Sequence, residues 1–179
     1  MKTPWRNNPI FKGKFHPEYP DDLQVLIHAG NPRFSGKRPE AVWVRITRNQ
    51  DTVYFGNILN KPQFLDNLHQ GDEISFLKVE SAPFPFLISP NYVDDRKKWV
   101  ISPCDKCGFA EMFEPPSKKV ESFMKENQIT EENVPIMMTT FCPLCGGAQI
   151  LGKIGTEAET KLRDFKLVAK KRWWMFWKK

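Results

Sequence analysis

The chain has 179 residues and a net charge of +6, with 40% apolar and 27% charged residues, as in a globular protein of one ordinary or two small domains. No apolar run approaches the ~20 residues that cross a bilayer, and M-K-T-P-W-R-N-N-P lacks the apolar stretch of a secretory signal. We therefore expect a cytoplasmic protein, in which thiols stay reduced and cysteines favour metal binding over disulfides.

Residues 1–40 are rich in Pro, Asn and Gly, a composition that favours loops laid over a neighbouring sheet. Within them, L-Q-V-L-I-H (23–28) predicts one short strand. We expect aromatic side chains to anchor these loops on the sheet, namely Trp5, Phe11, Phe15 and Phe34.

Residues 41–89 predict β-structure, beginning with A-V-W-V-R-I-T, whose alternation turns one set of apolar side chains to a single face. That set is Val42, Val44 and Ile46. V-Y-F-G-N-I-L-N predicts the next strand, with Gly56 as a bulge or a close-packing point. K-P-Q-F-L-D-N-L-H-Q predicts a linker or helical turn whose apolar side chains point inward, namely Phe64, Leu65 and Leu68.

Two further strands complete this region. G-D-E-I-S-F-L-K-V predicts the third strand, with Ile74 and Phe76 on one face. P-F-P-F-L-I predicts a fourth strand, which its prolines confine to an edge. Short strands joined by short turns predict a small antiparallel β-barrel or curled sheet.

The polar residues 90–98 mark a boundary, after which W-V-I-S-P, V-P-I-M-M-T-T-F and A-Q-I-L predict strands beside two cysteine pairs. Between the pairs, P-P-S-K-K-V-E-S-F-M-K-E-N predicts a helix at 117–127 with Ser117 as its N-cap. Its apolar stripe consists of Val120, Phe123 and Met124.

The two cysteine pairs form two C-x-x-C-G units, built from Cys104, Cys107, Cys142 and Cys145. Two residues between thiolates let one tight turn present both sulfurs to one ion, and the glycine accepts the left-handed backbone that closes the turn. Two such knuckles supply four sulfurs to a closed tetrahedral site. Strands leading into and out of both knuckles predict a zinc ribbon, and the helix accounts for the long spacing between the pairs.

Zinc is the metal that this pattern favours, with iron as the alternative because C-P-x-C-G is also typical of rubredoxin-like sites. Four protein thiolates leave no coordination position for water or substrate, so we expect a structural ion. Such an ion would stabilise a region too small to fold by apolar burial alone.

No catalytic constellation is visible elsewhere in the sequence. His16, His28 and His69 lack metal-ligand spacing and are typical of surface or turn residues. The acids Glu18, Asp21 and Asp22 indicate a solvated turn, with a cation site or an acidic docking patch as alternatives. Nothing assembles an acid, a base and an activated nucleophile, so we expect neither an enzyme nor a small-molecule substrate.

The positive charge is concentrated at the C-terminus. Residues 161–179 carry eight cations and one acid, whereas the other residues carry 19 cations and 20 acids. The apolar residues at 162, 165, 168 or 169, 173 and 176 share one helical face, which predicts a C-terminal helix. Four arrangements are open for this helix. Its apolar stripe would pack on the protein itself, or its C-terminal end would contact a membrane surface, a nucleic acid or another protein. The partner-binding candidates are Lys170, Lys171, Arg172, Trp173, Trp174 and Trp177.

Three motifs of the barrel region occur in a recognisable order: V-W-V-R-I, F-G-N-I-L-N-K-P and G-D-E-I-S-F. In this order they resemble the motifs of an uncharacterised bacterial family, domain of unknown function 2314. The motif residues are Trp43, Gly56, Leu59, Asn60, Pro62, Gly71, Asp72 and Phe76. Y-P-D-D-L-Q-V and the cysteine pairs are similar to further parts of bacterial proteins that join this barrel to zinc knuckles. The resemblance implies a small β-rich domain without an established activity, and related small domains are associated with toxin–immunity systems.

We therefore predict an α+β, mainly β protein with a barrel-like domain at 1–95, a zinc-ribbon-like domain at 96–155 and a basic aromatic helix at 156–179. The expected function is protein–protein recognition, with toxin neutralisation as one form of it. Nucleic-acid binding through the ribbon and the C-terminal helix is the alternative, and membrane association through that helix is another. The last alternative is an enzyme whose site lies in a cleft between the two domains, near Trp43, Asn60 and Asp72.

Overall fold

A computed structural model describes residues 5–28 and 31–162 of the chain. By its internal contacts the chain divides into two units, Met1–Pro90 and Asn91–Lys179. The division lies five residues before the boundary expected from the sequence. No helix in the described residues combines the length and apolar character needed to cross a membrane.

The first unit is a closed barrel of five strands. β1 pairs antiparallel with β2, and the same arrangement continues from β2 to β5. Five is an odd number, so in this meander the first and last strands point the same way, and the closing pair must be parallel. β5 indeed pairs parallel with β1 through Leu26 and Phe86. The elements are a 3-10 turn (Pro9–Phe11), β1 (Asp22–Ile27), α1 (Pro32–Ser35), β2 (Glu40–Gln50), β3 (Val53–Ile58), β4 (Glu73–Leu77) and β5 (Phe86–Leu87).

The prediction that the fourth segment, P-F-P-F-L-I, lies at an edge is wrong, because β5 has a neighbour on both sides. Proline lacks an N–H but keeps its carbonyl, and the Pro85 oxygen accepts the Leu26 N–H at 2.8 Å. The prolines therefore precede a two-residue strand, which closes the barrel without needing N–H donors from them.

The barrel interior confirms the predicted inward face of β2, where Val42, Val44 and Ile46 are at most 4% exposed. Ile74 and Phe76 from β4 are buried with them. Three of the expected anchors also pack on this core: Phe11 is fully buried, and Trp5 and Phe15 lie against it. Alternation in short strands was thus enough to identify the core.

Phe34 and Phe64 correct two of the burial predictions, since their side chains are 76% and 43% exposed. The Glu40 carboxylate accepts the N–H groups of Gln63 and Phe64 at 2.8–3.1 Å. The loop is therefore held by its backbone and not by burial of the Phe64 ring. Phe34 lies in α1, a four-residue helix without a buried side chain.

The second unit contains a three-stranded antiparallel sheet with the order β6-β8-β7. The predicted strands beside the cysteine pairs are confirmed, and β8 lies at the centre. Its elements are α2 (Tyr92–Arg96), β6 (Trp99–Ile101), α3 (Pro116–Asn127), a 3-10 turn (Glu131–Asn133), β7 (Met137–Phe141), β8 (Ala148–Lys153) and a helical segment at 157–162.

Helix α3 is confirmed, but Ser117 is not its N-cap. The helix begins at Pro116 with Pro115 as the cap, and Pro115 has no side chain that can accept a hydrogen bond. The acceptor comes from α2, where Asp95 Oδ2 receives the Ser117 N–H at 2.8 Å. Asp95 is only 8% exposed, so a distant buried carboxylate provides the cap for α3.

We predict that Asp95→Ala destabilises the start of α3 by about 1 kcal/mol, because it removes the acceptor for a helix N-terminal N–H. Faster hydrogen–deuterium exchange of the first α3 amides would measure this loss. Asp95→Asn keeps an acceptor oxygen and serves as the matched control. Equal exchange in the alanine and asparagine variants would contradict the capping role.

Candidate metal centre

The topology of the second unit brings both cysteine pairs to one end of its sheet. Cys142 and Cys145 lie in the turn between β7 and β8, where Phe141 pairs with Ala148. β6 pairs with β8 through Ile101 and Leu151 and runs toward the same end, so the chain enters the first knuckle beside the second. The two knuckles, distant in sequence, therefore lie next to each other.

All four sulfur atoms lie within 4.8 Å of one another. Across the two knuckles, Cys104 Sγ lies 3.5 Å from Cys145 Sγ, and Cys107 Sγ lies 3.6 Å from Cys142 Sγ. A tetrahedron with zinc–sulfur bonds of ~2.3 Å has sulfur–sulfur edges of about 3.8 Å. The sulfurs are thus spaced as ligands of a single ion, and none is in a disulfide.

The same kind of hydrogen bond occurs at all four sulfurs. Each sulfur accepts from the backbone N–H of the residue two positions later in the chain. The Lys106 N–H approaches Cys104 Sγ at 3.4 Å. The equivalent donors are Phe109 for Cys107, Leu144 for Cys142 and Gly147 for Cys145. Amide donors stabilise sulfur in its negatively charged form, which is the form that binds a metal.

Burial acts in the opposite direction on these thiols. It raises the pKa of Cys107 to about 11 and also raises the pKa of Cys142. At Cys145 burial is outweighed by the Gly147 N–H and the neighbouring thiols, which lower its pKa. Without a cation, thiols with raised pKa values are protonated at neutral pH. Metal binding must displace those protons, so affinity rises with pH and is lost on acidification.

Asp105 joins the two knuckles. Its Oδ1 accepts the Ala148 N–H at 2.8 Å, and its own N–H donates to the Ala148 carbonyl at 3.1 Å. The same carboxylate oxygen lies 3.7 Å from Cys104 Sγ. A side chain at Gly147 would place its Cβ 2.5 Å from both of these atoms. The second glycine of C-P-L-C-G-G is therefore required by the contact between the knuckles.

A partly buried polar network holds the segment that leaves the first knuckle. Arg96 donates to both Glu111 carboxylate oxygens at 2.6 and 3.1 Å, and Tyr92 donates to the same carboxylate at 2.6 Å. Burial and the adjacent Glu111 raise the pKa of Tyr92, so its hydroxyl remains a donor. Gln149, 1% exposed on β8, donates to the Phe109 carbonyl at 2.8 Å. No spacing pattern in the sequence indicates this network, because its members lie on three separate segments: α2, residues 109–111 and β8.

The polar family-motif residues have structural contacts in the first unit. Asn60 Oδ1 accepts the Trp43 N–H at 2.7 Å, and Asp72 Oδ2 accepts the His69 N–H at 2.7 Å. A Cβ at Gly56 would lie 2.5 Å from the Arg45 carbonyl oxygen, which bears out its prediction as a close-packing point. Pro62 is buried, and Gly71 has a φ of +96°.

The other sequence candidates do not extend the metal centre. Within the described residues, the four cysteines form the one group of three or more His, Cys, Asp and Glu side chains close enough to share an ion. Asp22 is 5% exposed and accepts two hydrogen bonds from Arg45, so its assignment to a solvated turn is wrong.

The predicted C-terminal contact residues, 170–174 and 177, lie outside the described residues. Of the predicted stripe, only Leu162 is described, and it is 1% exposed. A Cβ at Gly152 of β8 would lie 2.8 Å from both Ala158 and Leu162, so the segment 157–162 packs directly on the sheet. Membrane, nucleic-acid and protein contacts of the following residues stay predictions.

Comparison of the chain with protein-family models, curated proteins and solved structures finds no match. The resemblance to domain of unknown function 2314 therefore stays a prediction, and the site must be interpreted from its own chemistry.

We predict that Gly147→Ala weakens metal binding by about tenfold or more, because its Cβ forces Asp105 and Cys104 away from the second knuckle. Competition with a chromophoric chelator measures the change in affinity. Lys106→Ala is the control, since Lys106 is exposed and its backbone N–H to Cys104 is unaffected. An affinity unchanged by Gly147→Ala would contradict the required contact.

Proposed function

We propose that this protein is a non-enzymatic zinc-binding protein whose second unit is a zinc ribbon with a helical insert. The observation that carries this proposal is the convergence of Cys104, Cys107, Cys142 and Cys145, each with an amide donor to its sulfur. Zinc is favoured over iron because it readily occupies tetrahedral four-thiolate sites and needs no redox partner.

The ion is structural in this proposal. Four thiolates complete a tetrahedral shell, so no position remains for a water nucleophile or a substrate carbonyl. The sheet around it has only three strands, the shortest of three residues, and gains much of its stability from the ion. The zinc ribbon then serves to present a surface rather than to perform chemistry.

We expect about one equivalent of zinc per chain after purification without added metal, as four cysteines complete one site. Chelation should then increase hydrogen–deuterium exchange throughout β6, β7 and β8 while leaving β1–β4 protected. Elemental analysis before and after chelation provides the stoichiometry. Less than half an equivalent of zinc plus iron would contradict the metal site, and a full equivalent of iron would assign it to a rubredoxin-like centre.

Recognition of another protein is the function that we propose for the presented surface. Val134 and Ile136 precede β7 and Ile154 follows β8, and these aliphatic side chains are 37–44% exposed. The hydrogen bond from the Lys153 N–H to the Ile136 carbonyl, 3.2 Å long, places both chain segments side by side. An apolar group of this kind is typical of protein interfaces. Toxin neutralisation is one form that such recognition takes.

A cationic and aromatic patch on the first unit supports a second candidate function, the binding of single-stranded nucleic acid. Phe34 is 76% exposed, and the cations Arg33, Lys37 and Arg38 are exposed beside it in sequence. The Lys37 ammonium lies 5.4 Å from the centroid of the Phe64 ring. Exposed rings stack on bases while neighbouring cations contact phosphates, which is how proteins bind single strands.

We predict that Phe34→Ala combined with Lys37→Ala and Arg38→Ala weakens the binding of a single-stranded oligonucleotide by about tenfold or more and lowers its salt dependence. Fluorescence anisotropy at several salt concentrations measures both effects. The charge-matched control is Lys118→Ala with Lys125→Ala, two exposed positions on α3. Affinity that depends on residues 170–179 and not on the patch would contradict this site.

A further inference from the structure

The two faces of the β6-β8-β7 sheet differ in how completely they are covered. Residues directly opposite each other in an antiparallel pair share one face. Ile101 and Leu151 form such a pair, and both side chains are 0% exposed. Gln149 lies two positions before Leu151 on the same strand and is 1% exposed. These three residues define the inner face of the sheet, which is fully covered.

The other face, which we call the outer face, is apolar but only partly covered. Gly152 lies on it, opposite Val100 of β6 and Met137 of β7. Alternation along the strands adds two further residues of β8 and two of β7. Apart from Gly152, the residues of this face are partly or largely exposed, and none of them is charged. They are Val100, Met137, Thr139, Phe141, Ala148, Ile150 and Gly152.

The helical segment 157–162 packs on the outer face at Gly152. A Cβ at Gly152 would lie 2.8 Å from the side chains of Ala158 and Leu162, and 3.6 Å from Met137 Cγ. Ala158 and Leu162 are 0% and 1% exposed. They are four residues apart and therefore lie on one side of a helix. The side of this segment that faces the sheet is thus known.

The helical repeat shows which later residues would share the side of Ala158 and Leu162. All of them are apolar, and they are Phe165, Ala169, Trp173 and Phe176. Residues 163–176 would extend about 21 Å as a helix, whereas the five residues of β7 extend about 17 Å. A continued helix is therefore long enough to reach across the outer face.

We propose that residues 163–176 continue the helix of 157–162 and cover the outer face with this apolar stripe. The chain's own C-terminal segment is the occupant because Leu162 already holds its start on the sheet, so it binds without the entropic cost of bringing two molecules together. An uncharged face and an apolar stripe are also complementary. The inference goes beyond the proposed function and stands whichever partner the protein recognises.

The basic residues of the segment remain in water in this arrangement. Lys170 and Lys171 would lie away from the sheet, and Lys166 and Arg172 would lie at the two margins of the stripe, from which long side chains reach solvent. No cation would be buried, which is the condition for such packing to be favourable.

The arrangement also divides the residues named as candidates for partner binding. Trp173 would lie on the sheet, whereas Trp174, about 100° further around the helix, would point to solvent. The two neighbouring tryptophans therefore form a matched pair for a test. Trp174, Lys170 and Lys171 would remain available to a partner.

The exposure of these two side chains is measured by fluorine NMR of the zinc-loaded full chain labelled with 5-fluorotryptophan, with signals assigned by single Trp→Phe substitutions. A soluble gadolinium chelate should broaden the Trp174 signal several-fold more than the Trp173 signal. Equal broadening would overturn the proposal and leave the outer face to another molecule. Protection of Trp173 that is lost on dilution would assign the contact to a second copy and would also overturn it.

Stability provides an independent measurement. Trp173→Ala should lower the unfolding temperature of the second unit by about 6 °C or more, and Trp174→Ala by about 3 °C or less. Equal shifts in the two variants would contradict the packing of Trp173. Zinc content is measured on the same samples. One equivalent of zinc together with an exposed Trp173 rejects the covering helix alone and leaves the zinc ribbon standing.

A charge on the outer face tests the same contact from the side of the sheet. Ile150→Asp should make Trp173 as accessible to the gadolinium chelate as Trp174, because the stripe cannot cover an unpaired carboxylate. Lys153→Asp is the control, since Lys153 is exposed on the same strand and faces the other way. A folded Ile150→Asp variant with Trp173 still protected would overturn the proposal. The comparison of Trp173 with Trp174 decides where that variant fails to fold.

Discussion

The second unit depends on one electrostatic constraint, the convergence of four sulfur atoms within 4.8 Å. Four thiolates at these distances repel one another, and burial raises the pKa of Cys107 and Cys142 further against ionisation. A bound dication would offset both the repulsion between the thiolates and the cost of ionising buried thiols. Amide donors at each sulfur further stabilise the negative charge. The order of the strands follows from this constraint, because the central β8 must bring β6 and β7 to the same end of the sheet.

The barrel of the first unit satisfies a geometric constraint instead. A meander with five strands can close only through one parallel pair, and parallel pairing here amounts to a single register contact between Leu26 and Phe86. The strand that makes this contact is two residues long and preceded by proline, so the closure uses the shortest possible segment. Such closure removes the exposed edges that an open sheet of the same strands would carry.

Patterns among neighbouring residues in the sequence predicted the features that depend on those residues alone. Alternation identified the buried face of β2, and the C-x-x-C-G spacing identified all four sulfurs. The errors concern long-range contacts, such as the cap of α3, which Asp95 provides from α2, and the partner of Asp22, which lies on β2. The exposure of Phe34 and Phe64 was also not predicted, because large aromatic side chains are ordinarily expected to be buried. Hydrogen bonds between distant segments leave no periodicity in a sequence.

Residues 134–152, which form β7, the second knuckle and most of β8, contain no charged side chain. This segment delivers Cys142 and Cys145, and an acid beside the sulfurs would add to their negative charge, whereas a lysine would compete with the metal for them. The Asp105 carboxylate lies next to Cys104 Sγ, and its oxygen accepts the Ala148 N–H. β7 is an edge strand of this three-stranded sheet, so a hairpin suited to four thiolates by its lack of charge also lacks the charged side chains that commonly protect such strands.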